Sequence, residues 1–382
     1  MRIAVVGAGL GGVAAAVGLH RMGHEITLYE RATELREAGT GVVIMPNGIR
    51  ALDAIGSADF IRGRTMPAVN GGLRDWRGRP LLITDAAQAQ REVGATVVVR
   101  RAELHRALRV GLPAESVRTA TPVDRLDPTP TEVTVISDGH PTMTADAVIV
   151  ADGISSRLRA QLFPTHPGLR RTGRMDLRGM LPTPPGLDVT SLLASIMLDR
   201  RSGAMFGLFP LGDNDLYWFT DSKSSQNQPT PAEARRQLLS LTADWHPAVP
   251  TLIEATPPTD IYVDPIACLA EPLPTLALGR IALLGDAAHA MTPDLGQGAS
   301  QAFEDAAALT RHLSTATPPD VPQRFLHYDA ERRPRTTRLM LASSRQSHLT
   351  TQTGPAAWLR DALLRAIPRG LATRRLAAMW QA

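Results

Sequence analysis

Three carboxylates stand out by what precedes them. Glu30 follows an apolar run at residues 26–29, Asp152 follows one at 147–151, and Asp286 follows one at 281–284 and then Gly285. An acid at the carboxyl end of a buried strand lies where open α/β sheets bind ligands. There it can accept hydrogen bonds from ribose or ribityl hydroxyls. Glycines accompany each acid. Gly7, Gly9 and Gly12 stand in G-x-G-x-x-G spacing with Leu10 and Gly11 between them, and Glu30 comes 18 residues after Gly12. Gly7 permits a tight turn, Gly9 lets backbone approach a pyrophosphate, and Gly12 lets helix pack closely on strand. The free N–H groups of the helix start then face the phosphates, and Glu30 is placed for a ribose. Gly153 directly follows Asp152. Pro293, Gly296, Gln297 and Gly298 follow Asp286 and open a helical pattern. Glycines at a helix start let N–H groups stabilise negative charge, such as that of a reduced flavin ring.

The elements that must position these acids follow from periodicity. Residues 3–6 and 26–29 read as strands flanking a helix at 14–22, and residues 42–45 read as another strand before a helix at 49–55. Residues 71–85 form a hairpin pattern around Arg77-Gly78-Arg79, and residues 97–99 a strand before a helix at 101–110. The fully apolar run at 147–151 suits the centre of a parallel sheet. Residues 192–198, 204–209 and 216–220 are three further strand-like runs, separated by Gly203 and Gly212-Asp213-Asn214. They suggest an antiparallel sheet beside the nucleotide-binding part. Residues 222–231 are a polar loop, and 232–244, 297–313 and 322–351 are helical, the last with Pro334 as a candidate kink. A shorter amphipathic tail follows Pro355.

Composition bounds the rest. The chain has 382 residues, enough for two joined domains, with 43% hydrophobic content for a sizeable core. One cysteine, Cys268, leaves no disulfide framework, and the ten scattered histidines show no metal-ligand spacing, so no metal is expected. The chain opens directly on a nucleotide-binding strand, and no apolar run approaches ~18 residues, so a soluble, cytoplasmic protein is expected. Net charge is +4, nearly all of it arginine; Lys223 is the sole lysine. Residues 322–382 hold eleven arginines against Asp329, Glu331 and Asp361, a net +8, which leaves −4 for the rest. This reads as a solvated helical face, with neither nucleic acid nor membrane as partner. Trp358, Leu359, Leu363, Leu364, Ile367, Leu371, Leu376 and Trp380 in the tail are expected to pack onto the body, near the pocket mouth, or onto a dimer partner.

Taken together, the Gly7-x-Gly9-x-x-Gly12 turn with Glu30, the Asp152-Gly153 pair followed by Ser156 and Arg159, and the Gly285-Asp286…Pro293 stretch resemble the FAD-dependent aromatic hydroxylases. These are single-component flavin monooxygenases with the para-hydroxybenzoate hydroxylase fold, and the pattern is most similar to salicylate- and urate-hydroxylase-like members. The likeness runs from residue 1 to about 345. It implies an α/β fold: a Rossmann-type FAD-binding domain from residues 1–70, 97–165 and 275–320, an interleaved antiparallel-sheet substrate domain from 71–96 and 166–274, and C-terminal helices at 321–382. It also implies FAD contacts by Gly7, Gly9, Leu10, Gly11, Gly12, Glu30, Arg31, Val43, Arg101 (the arginine of an R-x-x-L helix), Val123, Asp152, Gly153, Asp286, Pro293, Gly296, Gln297, Gly298, Ala299 and Ser300. Ala299 and Ser300 stand where the family often has asparagine, and Ala151 replaces a frequent glycine.

The implied chemistry is reduction of FAD by NADPH or NADH, addition of O2 at flavin C4a, and transfer of one oxygen from the hydroperoxide to an electron-rich carbon. His289 is read as structural rather than as a base. On the substrate side, Met45, Met205, Tyr217 and Pro293 are expected to line the pocket, with Tyr217 the polar contact to a substrate hydroxyl. Family members that bind anions often carry an arginine in this sheet, whereas Arg200 and Arg201 fall in a turn. The pocket therefore reads apolar and favours a neutral, fairly large aromatic or polyketide-like molecule. Epoxidation, Baeyer–Villiger-type insertion, dehydrogenation and non-catalytic FAD binding stay open, as does a monomer or homodimer.

Overall fold

The computed structural model describes residues 1–35, 39–66, 69–212, 214–223 and 229–381. Asp213 of the expected turn and residues 224–228 of the polar loop lie outside them.

A six-stranded sheet organises the first core. Its spatial order is Ala277–Leu278, Ile281–Leu283, Ala147–Val150, Arg2–Val6, Glu25–Tyr29 and Val117–Arg118, parallel except for the first edge strand. The apolar run Ala147–Val150 is buried at every position, as both faces of a parallel sheet require. Register brings the acids together. Val6 pairs with Val150 on one side and with Tyr29 on the other, and Val150 pairs with Leu283. Gly7, Glu30, Asp152 and Asp286 follow these positions within one to three residues, so they emerge along one sheet edge.

The second sheet has seven strands in the order Ile261–Leu269, Leu169–Pro182, Asp215–Lys223, Met205–Leu211, Ser195–Leu198, Gly72–Asp75 and Pro80–Ile83. Only the contact of Ser195–Leu198 with Gly72–Asp75 is parallel. Alternation gives it two faces. Phe206, Leu208, Leu216 and Trp218 form a buried core with helices Pro231–Thr242 and Ala248–Ala255. Phe206 and Trp218 stack at 5.8 Å. The opposite face carries Met205, Phe209, Tyr217 and Phe219, joined across the register by Asp176, Arg178 and Met180. That face meets a two-stranded ribbon of Gly41–Ile44 and Val97–Arg100, where Val43 and Val98 pack against Tyr217.

Two strands of this sheet, Leu169–Pro182 and Ile261–Leu269, do not show in the apolar pattern. Met175, Leu177 and Leu181 are the buried apolar side chains on Leu169–Pro182, but Asp176 and Arg178 between them mask the alternation. Helix Val321–Thr350 continues through Pro334. The tail forms two helices, Gly354–Ala366 and Arg369–Gln381. On the first of them Ala357, Arg360 and Asp361 face inward, while Trp358 is 62% exposed and Leu359 and Leu363 are also open. These three do not pack onto the body, because Arg360 occupies the inward face, whereas Leu364 packs beside Leu81 and Trp380 is buried against Ala89 and Val93. Arg360 donates to the carbonyls of Leu349 and Thr350.

Candidate functional site

The glycine turn divides its tasks as steric space dictates. Gly7 has φ +105°, and a Cβ there would run into the Ala151 carbonyl. A Cβ on Gly12 would strike the Gly7 carbonyl and lie 3.2 Å from Ala151 Cβ, while one on Gly11 would press on Leu284 and Ala302. Gly11 and Gly12 therefore serve helix packing. A Cβ on Gly9 would meet nothing within 4 Å. Gly9 is the residue that leaves room for a guest, at the start of helix Leu10–Arg21, which has no side-chain cap. Its first-turn N–H groups are unspent donors. Glu30 accepts from the N–H groups of Ala8 and Ala32, at 2.9 Å each. It shapes the turn, and each oxygen keeps a lone pair for a ribose hydroxyl.

The Gly285-Asp286 turn is built from beneath. Asp305, fully buried, accepts from the Gly285 N–H at 2.9 Å, from His289 Nε2 at 2.6 Å and from Arg332 Nε at 2.7 Å. Burial alone would raise its carboxyl, but His289 and Arg332 outweigh it and hold it at about 2. His289 is thus structural, as its motif suggests. Arg159 clips the second motif to the third: it donates to the Asp286 and Ala287 carbonyls at 3.2 Å and to the Ile154 carbonyl at 2.7 Å. Ser156 caps the short helix Arg157–Leu162. These two residues of the Asp152 stretch hold the scaffold.

The side chain of Asp286 is solvent-exposed in the cleft, although protein crowds it in a wider shell. That crowding raises its carboxyl above the ordinary range, against His289, Arg159 and Arg101. Asp152 is also raised by burial, and its Oδ1 has no partner among the described residues. Gly153 (φ +83°) and Gly298 would each meet nothing within 4 Å if they bore a Cβ. Helix Gly298–Leu313 also lacks a side-chain cap. Gly296 is left-handed at φ +60°, where a Cβ would touch Met45 Cε at 2.8 Å. Gln297 is buried with its Nε2 unpartnered and its Oε1 held by Asn47 at 2.9 Å. Two uncapped helix starts, an open acid and unpartnered amide and carboxyl atoms suit a ligand that carries a pyrophosphate, hydroxyls and a polar ring edge. The residues present fit FAD.

Several expected contacts are spent on packing. Ser300 is fully buried and its hydroxyl accepts from the Met45 N–H at 3.1 Å, so its side chain fixes backbone and does not face the cleft. Ala299 and Val123 lie half-buried on the parallel-sheet core, Leu10 is buried in it, and Arg31 is exposed. Arg101, half-buried, lies against Gly39, and its charge is opposed by burial and by Arg178 but favoured by Asp286. It sits between the Asp286 turn and the sheet.

The sheet face opposite is not purely apolar, which corrects the expected pocket. Asp176 pairs with Arg178 at 3.2 Å, and Arg178 also pairs with Asp264. Burial pushes the Asp176 carboxyl up to about 7 despite Arg178, and its Oδ1 is unpartnered. Tyr217 is 6% exposed, its ring lies against the Gly41 backbone, and its hydroxyl lies near the Thr40 side chain. Burial and Asp176 raise its pKa, so it stays a phenol and a hydrogen-bond donor. Met205 is buried beside Leu81 and Leu198 with Phe219 close by. Among the described residues no helix is long and apolar enough to cross a membrane, and no group of three His, Cys, Asp or Glu could hold a metal.

A parallel-sheet edge bearing a glycine turn and three acids, closed over by a mixed, largely antiparallel sheet, defines an FAD-dependent monooxygenase of the aromatic-hydroxylase type. The chain belongs to the family described as FAD binding domain, whose model matches residues 1–343. It is 33% identical over 367 residues to 6-hydroxynicotinate 3-monooxygenase of Bordetella bronchiseptica, covering 93% of each chain. It is 30% identical over 370 residues to aurachin C monooxygenase/isomerase of Stigmatella aurantiaca, covering 96% of this chain and 94% of the other. Klebsiella pneumoniae HpxO complexed with FAD and uric acid superposes with a TM-score of 0.89 at 26% identity, covering 100% of this chain and 96% of that one.

Proposed function

We propose that this enzyme hydroxylates an electron-rich aromatic ring carrying hydroxyl or amino substituents, in the cleft between the Asp286 turn and the sheet face of Tyr217. The observation that carries this reading is the opposition of two surfaces. One presents Pro293, Gly296 and Gly298 at an uncapped helix start. The other presents Met205, Phe209, Tyr217 and Phe219 with Asp176 and Arg178. Relatives named for 6-hydroxynicotinate and for urate fit the same class of ring.

When bound, FAD supplies the two-electron chemistry with NAD(P)H and the activation of O2. The chain's own residues bind, orient and exclude water. Glu30 takes the ribose of the adenosine end, and the first-turn N–H groups after Gly9 take the pyrophosphate. Asp286 accepts from the ribityl hydroxyls, and the N–H groups around Gly298 face the ring edge. Arg101 answers the phosphate charge from the sheet side. Tyr217, held against Gly41, Val43 and Val98, donates toward a substrate oxygen. The aromatic and methionine side chains of the sheet keep water from the reacting carbon. We take the discontinuous division of the chain expected from the motifs, and a monomer or homodimer, as part of this reading.

The test is a screen of hydroxylated and amino-substituted aromatics by NAD(P)H consumption, coupled to product mass. A product gaining one oxygen atom is expected. A product that instead loses two hydrogens, with no oxygen gained, would overturn the reading.

A further inference from the structure

On the same sheet face as Tyr217, two residues beyond Asp176 and Asp221, a cavity of about 320 Å3 opens between strands Leu169–Pro182 and Asp215–Lys223 and helix Val321–Thr350. Its chemistry is one-sided. Arg170, Arg174, Lys223 and His348 line it together with five hydroxyl side chains, Thr292 and Ser347 among them. Among the described residues no carboxylate and no apolar side chain lines it directly. Cations gathered without counter-charge repel one another, so such a wall is stable only with compensating anions nearby. Asp221 and Asp294 supply them from behind the wall: Asp294 accepts from the Thr350 hydroxyl at 3.3 Å and lies beside Thr292 and Ser347. Arg174, 8% exposed, donates from Nε to the Asp221 carboxylate and from Nη2 to the carbonyls of Gly203 and Asp221 at 2.7 and 3.0 Å. Its Nη1 makes no hydrogen bond among the described residues. Arg170 makes only long contacts of 3.3 Å, to Cys268 Sγ and Ser344 Oγ. Lys223 and His348 form no ion pair among the described residues. Against these two carboxylates stand Arg170, Arg174 and Lys223, so a net positive charge remains, and the Arg174 guanidinium is already fixed by its neighbours.

The place matters as much as the charge. Thr292 lines the cavity and is the residue before Pro293. Its hydroxyl lies 3.0 Å from that of Ser343, which in turn donates to the Thr292 carbonyl at 2.6 Å. An occupant would therefore touch the root of the turn that carries Pro293 to Gly298. Guanidinium, ammonium and hydroxyl donors together suit a carboxylate or phosphate, and the volume admits one end of a larger molecule.

We infer that this cavity is an oxyanion subsite, which receives the carboxylate or phosphate group of a small molecule engaged in the flavin reaction. The inference rests on the monooxygenase reading. Two sources share this chemistry: an acidic substituent of the aromatic substrate, or a phosphate of the reduced dinucleotide.

Lys223 makes the site directly measurable, because the chain has no other lysine. The FAD-loaded enzyme is acetylated under limiting reagent at constant ionic strength, and modification of Lys223 and of the N-terminal amine is followed by mass spectrometry. Inorganic phosphate at about ten times its Kd should slow labelling of Lys223 about tenfold, with saturation, and leave the N-terminal amine unchanged. Arg170→Ala and His348→Ala should weaken this protection while keeping the flavin absorbance. Protection by NADPH beyond that by NADH, with a raised KM for NADPH in Arg170→Ala, assigns the dinucleotide. Protection by benzoate but not by its methyl ester assigns the substrate. If phosphate, NADPH and benzoate all leave Lys223 labelling unchanged, the inference is wrong. It is also wrong if phosphate protects but no KM moves in either variant. The labelling needs no turnover, so a failed substrate screen with intact protection would remove the monooxygenase reading alone.

Discussion

The two surfaces of the cleft are built on different principles. On the parallel-sheet side, function rests on backbone: glycine positions, uncapped helix starts and a turn pinned by Asp305 from below. On the antiparallel side it rests on side chains that answer one another across strands, such as Arg178 with Asp264 and Arg174 with Asp221. The first surface tolerates little change in shape. The second tolerates reshaping but is sensitive to charge and pH. A scaffold of this kind keeps one cofactor and varies its substrate.

The sharpest test of that contrast is Asp305→Ala. It leaves Arg332 buried without its carboxylate partner there and frees the Gly285 turn. A loss of about 3–5 kcal/mol in chemical denaturation is expected, together with colourless protein. Unchanged stability would mean that the turn is not held from below. Next comes a pair of glycine substitutions. Gly12→Val should destabilise the protein by about 1–3 kcal/mol, because its Cβ strikes the Gly7 carbonyl. Gly9→Val should leave the melting temperature of flavin-free protein where it is and still abolish flavin retention. If both variants fail in the same way, the division of tasks is refuted.

On the other surface, the Asp176 carboxyl titrates near 7, above its ordinary value of about 3.9. The native state then holds a proton that the unfolded state has released, so stability falls as pH rises from about 4 through about 7. Asp176→Asn should remove that dependence and stabilise the protein at pH 8.5 by roughly 1–2 kcal/mol, a figure reduced for its partial exposure. Denaturation at pH 5.5 and 8.5 decides it, and equal pH slopes in both proteins would count against it. The smallest effect belongs to Tyr217→Phe. Losing the buried phenol donor should cost at most about 1 kcal/mol and change KM more than the rate of flavin reduction. A wholesale loss of flavin reduction would show that Tyr217 acts on the cofactor instead.

The contrast also explains what the sequence reveals. Gly7, Gly9 and Gly12 act through local spacing, and their tasks can be read from thirty residues. Asp286 is equally plain, since a strand and a glycine announce it. Asp305 and Arg332 are not, because they lie 27 positions apart on separate helices and look like ordinary helix charges. Strand Leu169–Pro182 hides for a related reason. Its inward acids and arginines partner residues on neighbouring strands, so polarity there does not mean solvent. Ser300 shows the converse: a residue inside a motif whose side chain is taken up by packing against Met45.

Interleaving has a consequence for how the protein is made. Ile3 pairs with Ala147, and Val148 with Ile281, while the anchor of the Asp286 turn waits for Arg332. A ribosome releases the glycine turn some 320 residues before that arginine, which at 5–20 residues per second is roughly 15 to 60 seconds. Through that interval the nascent chain carries an apolar strand with an unpaired edge and no floor to its cofactor site. The finished turn is pinned by Asp305, yet the first thirty residues pass their early life as a client for whatever shields exposed β-edges in the cell.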